Sequence, residues 1–280
     1  MNGFFLIDKP KNWTSFDVCA KIKKILREKK VGHTGTLDPF ATGLLLVATG
    51  KFTKLIPFFE RAKKKYRAEI LFGKSSATLD PESEIFDAEI PQKISQKKME
   101  QILQKNFYGK ILQRPPLFSA IKIGGKKMCD AARAGEKIEI PPRPTEIFSS
   151  KILNFDFPKI GIEILAAAGF YVRSFARDIG EKCGTSAICT NLRREKIGEI
   201  SVENAQKIEN FAENPRAISL EKILPLPILE IPKNRIPDFS AGRAFFFEKK
   251  ITGKILIFCE NSAVGVGEIC GKNLQPRIVF

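Results

Sequence analysis

GHTGTLDPFATGLL, residues Gly32–Leu45, is the stretch from which the rest of the chain is best read. It carries the single histidine of the sequence, His33, and an acid, Asp38, set directly before a proline. Glycine permits backbone conformations and close approaches that a Cβ would block, and three stand here, at 32, 35 and 43. Pro39 fixes its own φ and biases Asp38 away from the helical region. The segment reads as a loop of defined shape presenting one carboxylate, between a basic helix and an apolar strand. Glycine, aspartate and proline also populate ordinary turns, and a lone Asp-Pro would be read that way. So dense a set of constraints beside the only histidine points to a working site.

Charge is the next signal. The 280 residues hold 47 Lys and Arg against 31 Asp and Glu, a net charge of +16 and a pI near 9.6. Such an excess favours a polyanionic partner, through attraction to phosphates and release of their counterions. Two basic runs, 21–30 and 61–67, flank the loop. The hydrophobic content of 43% supplies a proper core, and the length fits one large domain or a large and a small one. No apolar run reaches membrane-spanning length. MNGFFLIDKP lacks a basic leader and Asp8 interrupts its apolar stretch, so no signal peptide is expected and a cytoplasmic location is. Six cysteines (Cys19, Cys129, Cys183, Cys189, Cys259, Cys270) are scattered without a C-x-x-C pair. With one histidine they cannot build a zinc cluster of the usual spacing. In a reducing compartment disulfides are not expected either, and all six are read as small buried apolar side chains. No metal and no cofactor is expected.

Along the chain, residues 3–7 predict a strand. Thr14 and Asp17 predict a capping box. The helix it opens would turn Phe16, Cys19, Ile22, Ile25 and Leu26 inward, expose Lys21, Lys24, Arg27 and Lys30, and stop at Gly32. Residues 44–48 read as a buried strand and 53–59 as a short helix interrupted by Pro57. Alternation of Tyr66, Ala68, Ile70 and Phe72 predicts a strand with Tyr66 at its leading end. The polar, acidic stretch 75–89 reads as an exposed connection. Residues 95–107 predict an amphipathic helix with Met99, Ile102, Leu103 and Phe107 inward. The two prolines of QRPPLFSAIKIGGKK (113–127) lead into a strand, a glycine turn and a short helix to Arg133. PPRPT reads as a linker before a strand at 160–167, and Gly169 opens a helix over GFYVRSFARDIG. Prolines 225, 227, 232 and 237 mark a boundary. Residues 1–224 then form one domain, and 225–280 a linker and a small domain with strands near 254–259, 263–269 and 277–280. So small a unit is expected to pack on the main domain.

GHTGTLDPFATGLL strongly resembles the catalytic loop of the TruB-type tRNA pseudouridine synthases, in its bacterial wording. Further stretches match that family in order: DKPKNWTS (8–15), KKYRAEILFG (64–73), QRPPLFSAIK (113–122) with AARAG (131–135), GFYVRSFARDIG (169–180) and CGTSAICTNLRREKIG (183–198). The tail resembles, more weakly, the family's small PUA-like domain. The resemblance implies an α+β fold: a mixed, largely antiparallel sheet flanked by helices, with a β-rich PUA-like RNA-binding domain at the C-terminus. It implies isomerisation of uridine to pseudouridine in the T-loop of tRNA, at the position conventionally numbered 55, without a cofactor. The partner is then the T-arm of tRNA, and a monomer is the default. Residue by residue, Asp38 matches the catalytic aspartate, Tyr66 the tyrosine that stacks on the target base, and Arg173 the arginine that pairs with the aspartate. His33, Tyr171 and Leu192 match residues that contact RNA or enclose the flipped uridine, and Lys9 and Pro10 a motif supporting the site from behind. The chain departs from the family at Asn12 and Leu79, where glycine is usual, at Cys129 (tyrosine) and at Phe170 (threonine). None of the four is expected to touch the aspartate.

Taken without the resemblance, a strand-end tyrosine is more often packing, Arg173 a surface ion pair, Leu192 plain core and His33 a loop hydrogen-bonding residue. Two other functions stay open at this level. Charge alone fits a non-catalytic RNA-binding protein or folding chaperone. A nucleoside or sugar hydrolase would need a second acid paired with Asp38, and the sequence shows none. For the isomerase, Asp38 must be ionised, and Arg173 is expected to outweigh burial in setting its charge.

Overall fold

The computed structural model describes residues 2–90, 93–119, 121–123, 126–128, 130, 134, 140–247 and 253–280. Its main strands are β1 (Gly3–Lys9), β2 (Val31–His33), β3 (Thr42–Thr49), β4 (Lys64–Phe72), β5 (Gly109–Gln113), β6 (Arg143–Asp156), β7 (Lys159–Ala166) and β8 (Ala187–Ile197). They lie in the order β1–β3–β8–β4–β7–β6–β5, with the short strand Gln206–Lys207 outside β1 and β2 paired to β3. Neighbours run antiparallel except at Gln206–Lys207 and where β8 meets β3, at Arg193–Thr42 and Arg194–Gly43. The helices that cover this sheet are α1 (Ser15–Leu26), α2 (Gln96–Asn106) and α3 (Val172–Lys182). This is the expected α+β class.

The apolar run of β1 serves two faces, because successive strand side chains alternate. Phe5 and Ile7 pack beneath α1 against Val18, Cys19 and Ile22. Phe4 and Leu6 pack on the opposite side with Leu44, Leu46, Leu256, Phe258 and Val266. The last three come from a second, five-stranded sheet between residues 228 and 279. That small sheet therefore shares a core with the large one, as its size required. Phe280 adds a ring contact to Phe52, 4.7 Å between centroids. No described helix is long and apolar enough to cross a membrane.

Several local readings hold. The capping box forms, with Asp17 N–H donating to Thr14 Oγ1 at 3.0 Å and Thr14 N–H to Asp17 Oδ2 at 2.8 Å. Met99, Ile102, Leu103 and Phe107 are buried. Other readings need correction. Phe16 is 75% exposed, because the buried face of α1 is Ser15, Val18, Cys19 and Ile22, one position out of phase with it. The helix stops at Leu26, where Arg27 takes a left-handed conformation (φ 52°), and Gly32 lies in β2 opposite Ala48. PPRPT is no linker: Pro144 already belongs to β6, which pairs with β5 on its outer edge. Prolines 115 and 116 follow β5, and the strand described after them is the two-residue Lys122–Ile123, paired with Lys126–Lys127; Met128 and Asp130 beyond it are helical. The glycine turn 124–125, Cys129 and most of AARAG lie outside the described residues. The stretch 75–89 is only partly exposed: a small hairpin, Lys74–Ser76 with Ile85–Asp87, encloses Asp80, which is 1% exposed. Cys19, Cys189 and Cys259 are buried and Cys183 half-buried. Cys270, at the end of a strand, is exposed, contrary to expectation.

One glycine of the opening loop is dictated by the sheet. At Gly43 (φ +103°) a Cβ would sit 2.3 Å from the Arg194 carbonyl oxygen and 2.8 Å from its nitrogen. The parallel junction of β3 and β8 has no room for a side chain there.

Candidate active site

The loop between β2 and β3 is held from beneath. Lys9, fully buried, donates from Nζ to the carbonyls of Pro10 (3.0 Å), Trp13 and Pro39 (3.2 Å). Burial lowers its pKa to about 8. Asn12 N–H also donates to Pro39 O, at 2.8 Å. Ser15 Oγ accepts from Leu37 N–H at 2.8 Å, so the first turn of α1 anchors the residue before Asp38. The motif matched at Lys9 and Pro10 thus lies behind the loop.

Arg173 reaches the loop from the first turn of α3 and is 4% exposed. Its Nη2 donates to Asp38 Oδ1 at 3.0 Å, and its Nε lies 2.9 Å from Asp38 Oδ2. Nη1 donates to Thr78 O (2.8 Å) and Nη2 to Phe118 O (2.9 Å). Asp80 Oδ2 lies 3.3 Å from Nη1. The guanidinium is therefore clamped between two carboxylates, of which the sequence reading named one. Burial pushes the Asp38 carboxyl above its ordinary range; Arg173 pulls it down and Asp80 pushes it up again. The expectation that Arg173 outweighs burial is corrected: the net direction is upward.

A pocket of about 290 Å³ opens over this pair, at the small end of ligand sites. Asp38, Tyr66, Tyr171, Arg173, Leu192 and Arg194 line it, together with Lys64. Tyr66 stands in mid-sheet, between Ile164 of β7 and Arg194 of β8. Burial pushes its phenol up, and the Arg194 guanidinium faces it. Leu192, 5% exposed, is opposite Ala68 on the neighbouring strand. Tyr171 is fixed by its backbone: its N–H donates to Gln113 Oε1 (2.9 Å) and its carbonyl accepts from Gln113 Nε2 (3.1 Å). His33 is half-buried beside the loop and does not line the pocket. Its Nδ1 accepts from Gly35 N–H at 3.3 Å, and burial with Arg194 lowers its pKa, which favours the neutral ring.

Arg194 is the residue the sequence reading passed over. It is 1% exposed and donates to Leu44 O (2.8 Å), Gly35 O (3.0 Å) and Thr36 O (3.4 Å). It thereby ties β8 to the loop that carries Asp38. Arg193 faces the other way and grips Asp8 at 2.9 and 2.7 Å. Alternation along β8 was the available signal: Leu192 and Arg194 share a phase, so one of the two adjacent arginines had to point inward. Lys64, 6% exposed, also went unnoticed. It donates to Glu60 O at 2.9 Å, and burial lowers its pKa to about 8. No cluster of three His, Cys, Asp or Glu able to hold a metal occurs among the described residues.

The pattern of the TruB family pseudouridylate synthases (N terminal domain) matches residues 23–172. The chain belongs to the TruB family. It is 38% identical over 289 residues to tRNA pseudouridine synthase B of Aquifex aeolicus (strain VF5), covering 99% of each chain. It is 34% identical over 294 residues to the protein of that name from Trichormus variabilis, covering 100% of this chain and 99% of the relative. Among solved structures it shares the fold of a chain in an H/ACA RNP bound to a substrate RNA containing 2′-deoxyuridine. The TM-score is 0.70 at 21% identity, over 99% of this chain and 84% of that one.

The departures from the TruB pattern now have a physical reading. Asn12 (φ 65°) and Leu79 (φ 63°) both occupy the left-handed region that glycine enters without strain. Asparagine tolerates it, whereas leucine is destabilised there by about 1–2 kcal/mol. Leu79 is held by Ser76 O, which accepts its N–H at 3.2 Å, and by Cys189 N–H, which donates to its carbonyl at 3.1 Å. Neither residue touches Asp38, yet each is one contact away: Asn12 holds Pro39, and Leu79 lies between Thr78 and Asp80, which grip Arg173. Phe170 is 6% exposed and packs on Phe175.

Proposed function

We propose that this TruB family member converts a uridine in the T-loop of tRNA, at position 55, to pseudouridine. The observation that carries the reading is the Arg173–Asp38 pair at the floor of a pocket that also holds Tyr66, Tyr171 and Leu192. In the isomerisation the C1′–N1 bond breaks, a C1′–C5 bond forms, and the C5 proton leaves while N1 gains one, so no atoms are gained or lost. Asp38 supplies the one ionised carboxylate required, by attack at C1′ or by removal of the 2′ proton. A stacked uridine must first be swung out of the loop, at a few kcal/mol. Stacking on Tyr66, with Tyr171 and Leu192 enclosing the base, returns about 1–3 kcal/mol, and exclusion of water keeps the detached uracil in place. His33, outside the pocket, is left to contact RNA around the extruded nucleotide.

Asp80 does not turn the site into a hydrolase. It is buried on the far side of Arg173 and does not line the pocket, so it is badly placed to activate water there. The protein would act as a cytoplasmic monomer, with residues 1–224 as the catalytic unit and 225–280 as a PUA-like unit assisting RNA binding. The test is incubation with an unmodified tRNA transcript, followed by carbodiimide mapping of pseudouridine. One T-loop uridine should convert, and Asp38→Asn should abolish conversion while tRNA still binds. Conversion by Asp38→Asn, or at another site only, would refute the reading.

A further inference from the structure

We propose that Glu82 is a positioning residue for Asp38, acting through the Pro39–Phe40 peptide; the inference rests on Asp38 being the catalytic carboxylate. Pro39 has no N–H, so the first donor after Asp38 is the N–H of Phe40. That group donates to Glu82 Oε1 at 2.7 Å. The other end of the same peptide, Pro39 O, accepts from Asn12 N–H at 2.8 Å and from Lys9 Nζ at 3.2 Å. A cation at the carbonyl end and an anion at the N–H end match the dipole of the peptide between them. Hydrogen bonds to an ionised partner are roughly twice as strong as neutral ones.

Glu82 also faces the other arm of the site. Its backbone N–H donates to Asp80 Oδ1 at 2.9 Å, and the other oxygen of Asp80 lies 3.3 Å from Arg173. One residue thus holds both carboxylate arms that converge on the guanidinium: Asp38 through its side chain, Asp80 through its backbone. The charged groups around Glu82 are Asp80, Asp38, Arg173 and Lys9, drawn from the hairpin turn, the catalytic loop, α3 and β1. Glu82 is at the surface, on a stretch that otherwise reads as a solvated connection, and nothing in its composition distinguishes it from Glu84 or Glu89.

The test separates positioning from folding and from RNA binding. Glu82→Ala should lower the single-turnover rate at saturating tRNA transcript fivefold or more, leaving tRNA affinity unaltered and the protein folded at the assay temperature. Glu82→Gln, which retains an acceptor oxygen, should recover the rate to within twofold of wild type. A wild-type rate for Glu82→Ala overturns the proposal. So does a loss of rate matched by loss of affinity or by unfolding at the assay temperature, or a failure of Glu82→Gln to recover it. If the unaltered enzyme converted no T-loop uridine, the functional reading itself would fall, and this proposal with it.

Discussion

Arg173→Lys keeps the charge and removes the fork. The guanidinium meets both Asp38 oxygens at 2.9 and 3.0 Å, lies 3.3 Å from Asp80 and donates to two carbonyls. An ammonium has one nitrogen and three donors, so it cannot serve acceptors arranged on three sides. A unit pair near 3 Å is worth about 5.5 kcal/mol at an effective dielectric of about 20, and about 3.5 kcal/mol once it retreats to roughly 4.7 Å. The ionised form of Asp38 therefore loses about 2 kcal/mol of support. Each buried carbonyl left without a donor destabilises the fold by about 1–3 kcal/mol more. Asp38 is already pushed upward by burial, so its protonated, inactive fraction grows further in the variant. The expected outcome is an acid limb of the pH–rate profile displaced upward by about 1.5 pH units, with a lower single-turnover rate at any pH on that limb. Release of tritium from the uracil C5 of a labelled transcript measures both. A folded Arg173→Lys protein with the wild-type rate and an unmoved limb would refute the electrostatic argument.

Asp80→Asn removes a like charge from the cluster that raises Asp38, so its acid limb should move to lower pH; an upward shift would contradict the geometry. For the unaltered enzyme the sign is fixed by the same shift: activity is lost as pH falls through a carboxyl pKa lying above the ordinary aspartate range. Gly43→Ala must push a methyl group into the Arg194 backbone, and should lower unfolding free energy by about 3 kcal/mol in urea titration. Phe258→Ala opens the core shared by the two sheets and should destabilise the whole chain by about 3–5 kcal/mol, seen as one common transition rather than loss of the small sheet alone. The logarithm of tRNA affinity should fall linearly with the logarithm of salt concentration, as phosphate neutralisation requires. A flat response in filter binding would leave the basic runs without that role.

What the chain disclosed in advance follows from how local each signal is. The capping box at Thr14 and Asp17, the alternation through Phe72 and the inward face of α2 depend on neighbours within a few positions, and they were legible. Asp38, Tyr66 and Arg173 were legible as a set only through resemblance, since a lone tyrosine at a strand end or an arginine on a helix carries no mark of its task. Asp80 was hidden because burial of an acid in a polar stretch depends on an arginine 93 positions away in sequence. Phe16 misled because a capped helix start fixes where the helix begins and leaves open which residue faces the sheet. β6 was missed because Ile147 is its one fully buried side chain, the others being half-buried or exposed, and because a proline on an outer strand resembles a linker.

The junction of β3 with β8 has a consequence for biosynthesis. The carbonyl of Gly35 waits for a guanidinium 159 positions downstream, and Asp38 for one 135 positions downstream. At roughly 5–20 residues per second, the ribosome releases the loop about 7–30 s before its partners emerge. In that interval β1, α1 and β3 can already cover Leu45 and Val47, but Leu44 and Leu46 lack the residues near 256–266 that finally shield them. Leu44 and Leu46 thus stay short of their full cover until residues 256–266 have been made. Folding of this enzyme should therefore depend on chaperone protection between the synthesis of β3 and that of the small sheet.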